Sequence, residues 1–256
     1  MRKIWWILVM GVTVLTGFGL QATECIAHRG DSIRHPDNTV EAIQSGWEMG
    51  ADVVEVDVRM TREGVLVLFH DADLNKRPIA DMTHKELDAA TPKYRVPTMK
   101  EGLLAAVSDK ALLLDLKDER EEFLKQVLEQ AEDSTIPGSR VMLQSTSLKV
   151  LGFLRQHAPN GTELFYVTNL KTRGEPSVAG ELANALAEVG LQGVTAQGRQ
   201  FVNKAYVAAF HKKGLKYYVW TINPPDRIQH YVGIGVDGII SDDPAAFRKV
   251  VPAEKP

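Results

Sequence analysis

Four short stretches carry residue types suited to acid–base, anion-binding and metal chemistry. Ala27-His28-Arg29-Gly30 sets an imidazole beside a guanidinium, and Leu68-Phe69-His70-Asp71 sets a second imidazole beside a carboxylate. VVEVDV, Val53 to Val58, places Glu55 and Asp57 two apart in a β-branched run, and LLLDLK repeats the alternation with Asp115 and Lys117. Side chains two apart on a strand share a face. Two like charges side by side in an apolar strand are costly unless something opposite compensates them. A divalent cation would do so. Glu55, Asp57 and Asp115 are hard oxygen donors, which suit Mg2+ or Ca2+ rather than Zn2+. Arg29 and Lys117 suit an anionic group. His28 and His70 suit an acid–base pair near neutral pH. Together these point to phosphoryl transfer or phosphodiester hydrolysis. Each residue alone has a plainer explanation: a strand-end histidine is usually structural, and a lysine two after an aspartate is usually its ion-pair partner. Their joint occurrence carries the argument.

Such residues need strands to hold them. β-rich apolar runs fall at Cys25–Ala27, Asp52–Val58, Val65–Phe69, Ala111–Leu116, Arg140–Leu143, Glu163–Val167, Gly193–Ala196, Lys216–Trp220 and Gly238–Ile240. Amphipathic helical segments lie between most of them: Thr39–Met49, Glu119–Glu132, Ser147–His157, Val178–Val189, Asn203–Lys213 and Arg227–Gly233. Strand–helix alternation predicts βα units and a parallel sheet. Only a short turn around Arg62-Glu63-Gly64 separates the second and third runs, too little for a parallel crossover, so they form an antiparallel hairpin. Counting that hairpin as an extension of one strand leaves eight units and predicts an α/β fold, a single (β/α)8 TIM barrel. A doubly wound open sheet is the runner-up, but no Gly-rich dinucleotide fingerprint follows the first strand. No Pro/Gly/Ser-rich linker divides the chain, and the polar stretch Asn169–Pro176 reads as a loop. Function in such barrels sits where strands end. Gln144, Trp220, Asn223 and Asp242 also fall there. Trp220 is either a wall of the site or a core aromatic. His35 is a further candidate near the mouth, while His84, His157, His211 and His230 fall on helices with expected surface roles.

The formal net charge is −3 and the pI about 6.2, which argues against a nucleic-acid surface; no obligate protein partner is evident. The single cysteine, Cys25, permits no internal disulfide. Arg2 and Lys3 precede an apolar run from Ile4 to Leu20, the layout of a secretory signal peptide. Residues 1–22 are therefore expected to be a leader cleaved near Ala22, giving a secreted or periplasmic protein, with an uncleaved membrane anchor at residues 4–20 as the alternative. Residues 23–256 form the barrel domain.

The ordered series of motifs resembles the glycerophosphodiester phosphodiesterase family. It comprises AHRG, PDNTVEA from Pro36, VVEVDV, LVLFHD, VPTMKEGL from Val96, LLLDLK, VMLQSTS from Val141, YYVWTIN from Tyr217 and GVDGIISDDP from Gly235. The resemblance implies a barrel hydrolase dependent on one divalent metal ion. It implies His28 and His70 as the catalytic pair, Glu55 and Asp57 as metal ligands, and Arg29 on the phosphate. Asp115 stands where the family usually has glutamate as third ligand, with the family's lysine matched by Lys117. Asp37 and Thr146 also depart from the usual pattern. The segment from His70 to Pro97 is short, which implies a more open mouth. The implied reaction releases sn-glycerol 3-phosphate and an alcohol from a small glycerophosphodiester. Lysophospholipase D and sphingomyelinase D chemistry on the same site is the alternative, and a non-catalytic phosphodiester-binding barrel a more distant one.

Overall fold

The computed structural model describes residues 22–106, 110–133, 140–169 and 176–253. The leader expected at residues 1–22 lies almost wholly outside this range, as does most of the loop expected from Asn169. Eight parallel strands close on themselves: β1 (Glu24–His28), β2 (Val53–Met60), β6 (Ala111–Leu116), β7 (Arg140–Ser145), β8 (Leu164–Thr168), β9 (Gly193–Gln197), β10 (Lys216–Trp220) and β11 (Gly238–Ser241), which pairs back onto β1. The (β/α)8 expectation holds. So does the hairpin: β3 (Leu66–Leu68) pairs antiparallel with the far end of β2, Val58 opposite Leu68 and Met60 opposite Leu66. The segment after it holds a two-stranded ribbon, β4 (Asp73–Leu74) and β5 (Arg77–Pro78), a single 3-10 turn (Ile79–Asp81) and a short helix, α2 (His84–Ala90).

The helices are α1 (Val40–Glu48), α3 (Met99–Leu104), α4 (Glu121–Glu132), α5 (Leu148–His157), α6 (Pro176–Val189), α7 (Lys204–His211), α8 (Pro225–Ile234) and α9 (Pro244–Val250). Their starts follow local chemistry. Thr83 and Thr98 close capping boxes with Glu86 and Glu101, and Thr39, Ser147, Asn203 and Asp243 cap their helices with side-chain oxygens. In α4 only Phe123, Leu124, Val127 and Leu128 are buried, one apolar stripe laid on the sheet.

Inside the barrel, Ile26, Val53, Leu113, Met142, Phe165, Tyr218 and Ile240 form a separate apolar plug, with Phe165 and Tyr218 stacked at 4.7 Å. Gly238 makes room for it: a Cβ there would lie 2.7 Å from the Tyr218 ring. Below the plug, at the N-terminal end of the strands, Arg140 pairs with Glu24 and Glu163, Lys216 with Glu163, and the Tyr218 hydroxyl donates to Glu24. The barrel is thus sealed at that end, and chemistry is confined to the other.

Several strands run one or two residues further toward the mouth than their apolar content predicts: β2 to Met60, β7 to Ser145, β11 to Ser241. Polar site residues read as loop by composition, but the parallel ladder carries them. The expected surface roles suit His157 and His230, which are exposed. They fail for His84, which is largely buried with Nε2 2.7 Å from the Val96 carbonyl, and for His211, which is half-buried against Asp237.

Candidate active site

A cavity of about 140 Å³ opens at the C-terminal ends of the strands and is lined by His28, Arg29, Glu55, Asp57, His70, Asp115, Lys117 and Trp220, together with Gln144, Thr146, Thr195 and others. All eight residues singled out from sequence therefore meet on one wall or another of a single site. Strand register explains why. Pairing sets His28 beside Glu55 across β1 and β2, and Asp57 beside Asp115 across β2 and β6. β3 pairs with the end of β2, and the Phe69 amide donates to the Asp57 carbonyl, which delivers His70 to the same rim.

Glu55, Asp57 and Asp115 are each at most 6% exposed, and one oxygen from each lies within 4.8 Å of the others. Asp57 Oδ1 meets Lys117 Nζ at 3.1 Å, and Asp115 Oδ2 meets it at 2.6 Å. Glu55 Oε2 accepts the backbone N–H of Arg29 at 3.0 Å. That N–H reaches Glu55 because Arg29 and Gly30 are both left-handed, with φ of 57° and 84°. Gly30 is obligatory: a Cβ there would lie 2.4 Å from the Ala42 carbonyl carbon.

Burial and the Asp57 charge push Glu55 up to about 8. Burial also raises Asp115, against Lys117. Asp57 goes the other way: burial opposes its charge, but Lys117, the Asn38 hydrogen bond and Arg29 together hold it below the usual carboxylate range. The trio tests well as a cation site. Its donors are all hard oxygens, Asp115 Oδ1 is buried without a partner, and the positive groups near Glu55, His28 and Lys117, do not offset its burial and the Asp57 charge.

Each histidine is oriented by a carboxylate. His28 Nδ1 lies 2.6 Å from Asp242 Oδ1, and His70 Nδ1 lies 2.8 Å from Asp71 Oδ1. A carboxylate accepts at Nδ1, which leaves Nε2 as the ring nitrogen for chemistry. Burial would lower His28, but the Asp242 hydrogen bond and the Glu55 charge outweigh it and raise its pKa. Asn223 holds Asp242 in turn, its amide donating at 2.7 Å and its oxygen accepting from the Ser241 hydroxyl and the Asp242 N–H.

Arg29 is partly committed: NH1 donates to Asp37 at 2.8 Å and Nε sits 3.2 Å from Asp57 Oδ2. Trp220 fills both roles foreseen for it, packing on the interior plug while lining the cavity, with Nε1 donating to the Thr195 carbonyl. His35 lines a different groove, with Lys93, Tyr94 and Arg95. Sequence reasoning missed Asn38. It is 2% exposed, left-handed, and clamps Asp57 twice, donating to Oδ2 at 3.0 Å and accepting the backbone N–H at 2.9 Å. An Asn after Pro-Asp was the available signal, since Asn tolerates that backbone region.

A model of the glycerophosphoryl diester phosphodiesterase family matches residues 28–246. A glycerophosphodiester phosphodiesterase of Caldanaerobacter subterraneus subsp. tengcongensis is 29% identical over 248 residues, spanning 90% of this chain and 98% of that protein. One from Bacillus altitudinis is 26% identical over 262 residues, spanning 89% and 98%. Among crystal structures, the glycerophosphodiester phosphodiesterase of Thermotoga maritima matches with a TM-score of 0.74 at 26% identity, over 89% of this chain and 98% of that one. A phosphodiesterase from Oleispira antarctica, in complex with the product sn-glycerol-3-phosphate, shares the fold at a TM-score of 0.78 and 20% identity, over 91% and 98%.

Proposed function

This chain belongs to the glycerophosphoryl diester phosphodiesterase family, and on that premise we propose that it hydrolyses small glycerophosphodiesters to sn-glycerol 3-phosphate and an alcohol. The observation that carries the reading is the convergence of two carboxylate-oriented histidines and a buried three-carboxylate cluster on one cavity. A divalent ion, Mg2+ or Ca2+, held by Glu55, Asp57 and Asp115, would neutralise phosphate charge as a Lewis acid. Arg29 and Lys117, at the edge of the cluster, bind the phosphate oxygens and stabilise charge developing on them.

His28 and His70 form the acid–base pair. One takes the proton from the glycerol 2-hydroxyl or from water, and the other protonates the departing alcohol oxygen. Attack by the neighbouring hydroxyl is effectively intramolecular; it expels the alcohol and leaves a cyclic phosphate, which water then opens to the glycerol phosphate monoester, whereas direct attack by water gives that product in one step. Trp220 offers an apolar wall for the glycerol carbons. The basic start and the apolar run from Ile4 to Leu20 support a leader, and with it action outside the cytoplasm.

The test is an assay of the protein without its leader on glycerophosphocholine, following glycerol 3-phosphate with Mg2+, with Ca2+ and with chelator. Product that depends on either ion, and that falls about 10²- to 10⁴-fold in His70→Ala, is the expected result. Full activity in excess chelator would remove the metal from the reading. Turnover of lysophosphatidylcholine in preference to glycerophosphocholine would move the substrate to lysolipids.

A further inference from the structure

Eight buried side-chain atoms among the described residues have no hydrogen-bond partner, and four of them sit on residues lining this one cavity: Arg29 Nε, Asp115 Oδ1, Gln144 Oε1 and Thr195 Oγ1. The first two belong to the charged cluster. Gln144 and Thr195 do not. They are 2% and 0% exposed, and they stand on β7, next to β6, and on β9, which faces β2 across the barrel. Buried polar atoms are normally paired, because an orphan costs the full loss of its bond to water. Two orphans on strands that flank β8 are explained if the partner is a molecule that enters the cavity.

Their surroundings narrow what that molecule presents. Gln144 is in register with Asp115 on one side and Phe165 on the other. Thr195 is in register with Val167 and Tyr218, and its own carbonyl accepts the Trp220 indole N–H at 3.2 Å. Among the described residues, the cations that line the cavity are Arg29 and Lys117, just past the ends of β1 and β6. A neutral amide and a neutral hydroxyl beside the Trp220 indole match an alcohol on a short carbon chain.

We propose that Gln144 and Thr195 form a hydroxyl-recognition subsite that reads the terminal hydroxyl of the glycerol arm. The assignment rests on the phosphodiesterase reading above and adds to it the residues that set substrate choice. A site built to hydrogen-bond a substrate hydroxyl rejects the analogue that lacks it, because its own buried groups are then left unpaired. These two residues touch neither the phosphate nor the transferred protons, so their contribution should follow the presence of that one hydroxyl.

The experiment compares glycerophosphocholine with the phosphocholine ester of propane-1,2-diol, which keeps the neighbouring 2-hydroxyl but lacks the terminal one. Wild-type protein, Thr195→Val, Gln144→Met and the hydroxyl-retaining control Thr195→Ser are assayed for kcat/KM on both. We expect wild type and Thr195→Ser to prefer the glycerol ester about tenfold or more, and Thr195→Val and Gln144→Met to lose most of that preference while keeping their rate on the deoxy ester. Equal losses on both esters, or an unchanged preference, would show that Gln144 and Thr195 do not read the terminal hydroxyl and would overturn the assignment. A second measurement separates this outcome from failure of the phosphodiesterase reading. Calorimetric titration with sn-glycerol 3-phosphate and with 1,2-propanediol phosphate reports the subsite without turnover. Tighter binding of the glycerol compound in wild type, lost in Thr195→Val, supports the subsite even in a protein that hydrolyses neither ester, and equal binding of both compounds overturns it.

Discussion

Asp57 and Asp115 face each other in register on adjacent parallel strands, and the ammonium of Lys117 is held between them, 3.1 Å from one and 2.6 Å from the other. That relationship answers how carboxylates survive inside an apolar strand. It also makes Lys117 the group whose loss is most costly. Removing one partner of a buried ion pair strands the remaining charge, at about 3–5 kcal/mol. Lys117→Met is therefore expected to unfold at markedly lower denaturant concentration, and Mg2+ or Ca2+ should recover more stability in the variant than in wild type. The two titrations, with and without divalent ion, check this directly; equal stability with and without Lys117 would refute it.

The Asp242 carboxylate raises the His28 pKa and holds the ring by Nδ1. In Asp242→Asn the charge is gone and burial is unopposed by it, so the His28 pKa falls. The limb of the pH–rate profile that reports His28 should move to lower pH, with kcat reduced about ten- to hundredfold by the loosened ring. A lower rate with an unmoved limb would mean that His28 does not titrate in the rate-limiting step.

His211 lies outside the site and should matter only to stability. Its Nε2 meets Asp237 Oδ2 at 2.8 Å, and that hydrogen bond raises its pKa. A raised folded-state pKa gives stability that is fully present below the unfolded histidine's value near 6.5 and is lost as pH rises through the folded value. The side chain is 38% exposed, so solvent screening limits the effect to about 0.5 kcal/mol. Melting curves of wild type and His211→Gln should differ more at pH 5.5 than at pH 9; a constant difference would rule out a charge contribution.

Gly30 joins a left-handed backbone to contact with the Ala42 carbonyl. Gly30→Ala must move either the loop that carries Arg29 or the start of α1. A loss of about 2 kcal/mol or more in unfolding free energy is expected, with activity falling further than stability because the Arg29 N–H no longer meets Glu55. Chemical denaturation and a parallel rate measurement check both parts.

The barrel was legible because parallel strands obey period-two alternation, and seven of the eight residues that meet in the cavity because β1, β2, β3 and β6 carry them, at or just past their ends, in a compact dipeptide or alternate pair; Trp220, on β10, stood out only as a strand-end aromatic. What was not legible depends on partners far apart in the chain. His28 and Asp242 are 214 residues apart, and nothing near either announces the other. Asn38 looked like turn punctuation, since its amide finds Asp57 only after α1 has folded onto β2. His84 and His211 looked like surface residues on helix patterns, but helix periodicity does not reveal a carbonyl or carboxylate waiting on another element. Strand ends were read short for the same reason: composition marks the residues that will contact solvent or substrate as loop, while the ladder that holds them comes from neighbouring strands.

β2 supplies two of the three clustered carboxylates and is hydrogen-bonded on its two sides to the strands that bear His28 and Asp115, while its far end carries the hairpin to His70. The opposite wall, from β7 to β10, carries none of these groups. A slip of one residue in β2 would turn Glu55 and Asp57 to the outer face and abolish every part of the reaction together. A substitution at a cavity-facing position of the opposite wall, such as Thr146 or Val167, leaves that cluster in place. One wall thereby fixes the charged groups together through a single register, and the other shapes the space beside them, so what the cavity admits can change one side chain at a time while the cluster stays whole.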